Sequence, residues 1–125
     1  MAKILGTVDA STTPLVQLKI RPPGGVEIEG DALVDTGFNG ELIIARDVVQ
    51  SLGLIAKSQV RATMPDGRIE LLDVYVIELR WTTGWIRVDV PSLETESLLG
   101  MGLLAGCELK IACVAGGEIQ IAPLP

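Results

Sequence analysis

A chain of 125 residues has the length of one ordinary domain, residues 1–125, and its 48% hydrophobic content supports a packed core rather than disorder. A net charge of −6 with no run of Lys or Arg argues against nucleic acid and acidic membranes as partners. There is no histidine, so Ser-His and Cys-His nucleophiles are excluded, and most zinc sites with them.

One Phe, one Tyr and two Trp leave the core to Ile, Leu and Val, residues that suit a pleated surface. In chain order, residues 3–8 and 15–20 alternate apolar and polar and predict strands, the second ended by Pro22-Pro23-Gly24-Gly25. Residues 26–28 and 32–34 are strand-like, with Gly30 expected to bend or bulge the chain between them. A short apolar run follows at 41–44. Arg46–Leu52 predicts a helix, its apolar face formed by Val48, Val49 and Leu52 and its end marked by Gly53. Residues 60–64 and 68–79 predict a hairpin through Pro65, Asp66 and Gly67, and 81–90 a strand pair around Thr83-Gly84. A short helix at 101–105 precedes strands at 108–113 and 118–121. The pattern predicts an all-β, barrel-like domain with one or two short helices.

The longest strongly apolar stretch, 97–105, falls far short of the ~20 residues that span a bilayer, and the first residues lack the apolar core of a signal peptide. A soluble cytoplasmic protein is expected. Cys107 and Cys113 lie six apart in a strand-like segment, roughly 20 Å if extended, too far for a disulfide; two reduced, largely buried thiols are expected. Glu94 and Glu96 read as a solvated face, and Trp81 and Trp85 as core or interface.

Chemistry concentrates in Ala32-Leu33-Val34-Asp35-Thr36-Gly37, where an apolar strand ends in a carboxylate, a small hydroxyl residue and glycine. An ordinary turn at a strand end has the same tripeptide. A reactive loop also fits, since a strand delivers Asp35 to a partly desolvated site and Gly37 lets backbone approach closely. Asp31, Asp35 and Glu41 lack calcium-loop spacing. The glycines from Gly100 to Gly106 have one residue too many for a dinucleotide fingerprint and no βαβ context.

The segment Val34-Asp35-Thr36-Gly37-Phe38-Asn39-Gly40-Glu41-Leu42, followed downstream by Leu98-Leu99-Gly100-Met101-Gly102-Leu103-Leu104, resembles the two hallmark motifs of retropepsin-like aspartic proteases, particularly the small bacterial and archaeal members. The order of elements resembles theirs over nearly the whole chain. The resemblance implies a small closed or partly open β-barrel with one or two short helices, functional as a two-fold homodimer. It implies an aspartic endopeptidase without cofactor or metal, acting on extended peptide or protein substrates. Asp35 would be catalytic and face its twin, and Thr36 and Gly37 would support the loop, Thr36 by hydrogen-bonding across the interface. Leu98, Leu99 and Gly100 would pack behind the loop. The hairpin at about 63–70 would be a flap, with Phe38, Asn39, Met64, Asp66, Gly67 and Ile69 near substrate. Gly102 stands where relatives generally carry a polar residue, so a side-chain hydrogen bond is missing there. The termini, 2–5 and 119–124, are expected at the dimer interface if they are unpaired strands. The rival reading is a non-catalytic dimeric β-barrel that binds peptides or mediates assembly.

Overall fold

The computed structural model describes residues 3–125. Ten strands and two short helices follow in chain order: β1 (Ile4–Val8), β2 (Pro14–Arg21), β3 (Ile28–Val34), β4 (Leu42–Ala45), α1 (Arg46–Leu52), β5 (Ser58–Thr63), β6 (Ile69–Trp81), β7 (Gly84–Leu93), β8 (Leu98–Leu99), α2 (Met101–Leu104), β9 (Cys107–Ile111) and β10 (Glu118–Pro123). The strands form one sheet in the order β5-β6-β7-β4-β8-β3-β2-β1-β10-β9. It closes on itself where β2 pairs with β6, Ile20 opposite Leu79 and Arg21 opposite Glu78. Strands β2, β3, β8, β4, β7 and β6 thus make a closed barrel, and β1, β10 and β9 continue the sheet beyond β2.

Alternation sets the core. Val16, Leu18 and Ile20 of β2, Ala32 and Val34 of β3, Leu42 and Ile44 of β4, Val88 and Val90 of β7, and Ile119 and Ile121 of β10 all point inward and are buried. Such a core needs few aromatics, because aliphatic side chains fill the narrow interior of a small barrel. In β6 the buried face switches along its length. Ile77, Leu79 and Trp81 belong to the core, whereas Leu72 and Val74 are buried on the opposite face, outside that cluster. Helix α1 has the bounds that its apolar spacing predicts. Gly53 ends it at φ 64°, donating to Gln50 O, and Leu54 N–H donates to Val49 O, a closure that an L-residue at 53 would strain.

Several expectations need correction. Gly30 makes no bulge: β3 pairs continuously with β2 from Ile28 to Leu33, Gly30 opposite Leu18. The terminal strands are not unpaired. β1 lies between β2 and β10, with Leu5 opposite Gln120 (Ala2 is outside the described residues), and the edge at this end of the sheet falls to β9, β5 forming the other. Both cysteines are free, but Cys113 is exposed and only Cys107 is partly buried, because β9 stops at Ile111 and Cys113 falls in the following turn.

Candidate active site

Asp35 stands directly after β3, where the barrel strand ends. The two-residue strand β8 lies between β3 and β4, parallel to β3 (Leu33 opposite Leu98, Val34 opposite Leu99) and antiparallel to β4 (Leu42 opposite Leu99). Its backbone holds the carboxylate's own residue: Asp35 N–H donates to Leu99 O at 2.9 Å, and Leu33 N–H to Ser97 O at 2.9 Å. Leu99 is fully buried, so the strand that fixes Asp35 is itself fixed by the core.

The loop from Asp35 to Glu41 curls back on α2. Gly100 N–H donates to Glu41 O at 3.0 Å, Met101 N–H to Phe38 O at 2.7 Å, and Gly102 N–H to Gly40 O at 3.0 Å. These three donors lie at the start of α2, where amides have no partner within the helix. The approach is so close that a Cβ on Gly100 would overlap the Gly40 and Phe38 carbonyl oxygens. One on Gly102 would sit 2.9 Å from both Asn39 O and the Gly40 carbonyl carbon. Gly102 therefore has a task of its own: its backbone, not a side chain, secures the loop.

Within the loop, Gly37 N–H donates to Asp35 Oδ1 at 2.9 Å, and a Cβ on Gly37 would stand 3.3 Å from that oxygen, tighter than usual contact. Asp35 is half-buried, while Thr36 and Gly37 are exposed. The Phe38 ring packs over Gly40 and against Gly100, so it is part of the loop's own packing. Asn39 is exposed. Among the described residues, Asp31, Asp35 and Glu41 do not gather into a group fit to hold a metal ion.

The β5–β6 hairpin carries the other candidates. Its tip is a three-residue loop: Met64 N–H donates to Arg68 O at 2.7 Å, Gly67 N–H to Met64 O at 2.9 Å, and Gly67 has φ 86°. That is a turn with a glycine bulge rather than a two-residue Asp-Gly turn, because Pro65 presets the first corner position. Asp66 accepts from Arg68 N–H at 3.0 Å and from Arg68 Nε at 2.6 Å. The Arg68 backbone amide, then its guanidinium, hold the Asp66 carboxyl below its ordinary value. Met64 is half-buried, Ile69 is 64% exposed, and no hydrogen bond among the described residues joins this hairpin to the Asp35 loop. Cavities of about 430 and 480 Å³ open on the flank of β1–β3, and Asp35 lines neither.

Sequence reading missed one contributor. Ser97, only 8% exposed, accepts the Ala45 N–H through Oγ at 2.9 Å, tying the start of α1 to the strand under Asp35. A lone hydroxyl ahead of an apolar pair was the available signal. Leu98, expected behind the loop, pairs with Leu33, both half-buried on the face away from the core, and Leu33 lines the 430 Å³ cavity.

No protein-family model matches this sequence, and no curated protein matches it. Among solved structures, a retropepsin-like aspartic protease from Rickettsia conorii aligns over 99% of this chain and 93% of its own, with a TM-score of 0.57 at 15% identity. Among the described residues no helix is long and apolar enough to cross a membrane. Closed six-strand barrel, Asp35 loop and short α2 thus sit in an all-β chain that has the fold of a retropepsin-like aspartic protease.

Proposed function

We propose that the chain is an aspartic endopeptidase that works as a homodimer, with one Asp35 from each copy. The observation that carries this is the Asp35 loop itself. The carboxylate is half-buried at the end of a core strand, pinned through Leu99 and α2, and followed by Thr36 and Gly37 that a lone chain leaves exposed. The sequence has a single Asp-Thr-Gly, so one chain supplies half of a two-carboxylate site.

In the dimer the two Asp35 carboxyls share one proton, because like charges that close do not both ionise. The ionised one takes a proton from a water whose oxygen bonds to the peptide carbonyl carbon. The protonated one gives its proton to the carbonyl oxygen. Collapse of the resulting diol, with a proton passed to the amide nitrogen, breaks the C–N bond and restores one shared proton. Thr36 holds the two loops together, and the β5–β6 hairpin covers the substrate as a flap, with Met64 and Ile69 toward it. Extended peptides bind as an added strand, and Met64 and Ile69 favour apolar side chains beside the cut. No cofactor takes part.

The test is mass spectrometry of a proteome-derived peptide library digested by the wild type and by Asp35→Asn from mildly acid to neutral pH. Cleavage should vanish in the variant while its fold is kept. Equal cleavage by both would sink the mechanism, and no cleavage by a dimeric wild type would favour the non-catalytic peptide-binding module.

A further inference from the structure

Of the sheet's two edge strands, β5 and β9, the second has a self-complementary pattern. Its hydrogen-bonding phase is set by β10: Ala112 N–H donates to Glu118 O at 3.0 Å and Leu124 N–H to Gly106 O at 2.9 Å. In that register Glu108 and Lys110 turn their backbone groups to β10, and Cys107, Leu109 and Ile111 turn theirs out of the sheet. The side chains alternate too. Cys107, Leu109 and Ile111 are half-buried beside the core, while Glu108 and Lys110 are exposed on the other face.

We propose that β9 is the strand through which two copies of this chain join, antiparallel about a two-fold axis at Leu109. Leu109 then pairs with Leu109 of the second copy and Cys107 with Ile111, so every outward backbone N–H and C=O of the strand is satisfied. Glu108 of each copy falls opposite Lys110 of the other. The neighbouring registers are disfavoured: an axis at Glu108 sets carboxylate against carboxylate, and one at Lys110 sets ammonium against ammonium. Joining also covers the half-exposed Leu109 and Ile111 and removes an open edge that otherwise invites promiscuous pairing. The Asp35 loop is pinned to Gly100 and Gly102, and the chain runs from there through α2 into β9 at Cys107. This interface rests on the dimeric reading above and names the segment that makes it.

The experiment is sedimentation over a concentration series for the wild type, Glu108→Lys, Lys110→Glu and the double swap, with Asp35-dependent cleavage measured alongside. Each single swap puts like charges opposite one another twice and should loosen the dimer about tenfold or more, and the double swap should restore it. Both side chains are exposed, so thermal melting checks that the fold is kept. As a second measurement, Leu109→Cys should give a disulfide-linked dimer on mild oxidation, since paired Cα atoms there are about 5.5 Å apart. A dimer indifferent to all three swaps and not cross-linked by Leu109→Cys overturns the β9 interface but leaves the Asp35 reading standing. A swap-sensitive dimer without Asp35-dependent cleavage keeps the interface and overturns the protease. A wild type that stays monomeric at every concentration overturns the interface.

Discussion

At the scale of single residues, the candidate site is held together by what glycine leaves out. Gly100 and Gly102 let α2 approach the backbone of residues 38–41 closely enough for three hydrogen bonds, and Gly37 leaves room for the Asp35 carboxylate. Gly100→Ala and Gly102→Ala should each force that backbone apart at about 1–3 kcal/mol, lowering Tm by roughly 5–10 °C in a chain of this size. Calorimetry checks it, and an unchanged melt would mean that the loop yields without cost. Asp35 and its Thr-Gly successors were legible in the sequence because their order along the chain is the motif. Ser97 was not, because its role depends on Ala45, which only folding brings beside it.

At the scale of elements, α1 could be read off to the residue, since spacing and the Gly53 cap are local signals. The β5–β6 hairpin was legible as a hairpin but not in its turn, where Pro65 and the bulge at Gly67 compete with the Asp-Gly preference. Asp66 titrates below its ordinary value because Arg68 donates to it. The tie is therefore at full strength above the ordinary aspartate range, about pH 4, and fades as pH falls through the depressed value. In mild acid the hairpin proposed as a flap keeps its turn. Amide protection at Gly67 and Arg68, followed by NMR, should drop in strong acid for the wild type, and Asp66→Asn should already show the lower level at neutral pH. The same pH profile in both proteins would assign the loosening to another group. The barrel seam has a similar pairing. Arg21 Nε meets Glu78 Oε1 at 2.8 Å, and the Arg21 guanidinium lies 3.9 Å over Trp85. That side-chain bond holds the Glu78 carboxyl below its ordinary value.

At the scale of the whole molecule, the proposed function makes activity a property of pairs. Asp35→Asn chains mixed in excess with wild type should form mixed dimers that lack one carboxylate, so activity should fall well below simple dilution. In a titration of rate against variant fraction, a rate that only tracks the wild-type concentration would mean that each chain works alone. Specific activity should likewise fall on dilution, as the dimer dissociates.

The sequence by itself determined the all-β class, the single Asp-Thr-Gly, the helix over Arg46–Leu52 and the exclusion of histidine chemistry, because each is written in residue type and short-range spacing. Only the tertiary structure decided that β2 closes on β6, that β8 lies between β3 and β4 to hold Asp35, that β1 and β10 are each paired on both sides and that β9 is an edge strand. Those are pairings between strands far apart in the chain, and alternation of period two shows which face a strand buries, not which strand it meets.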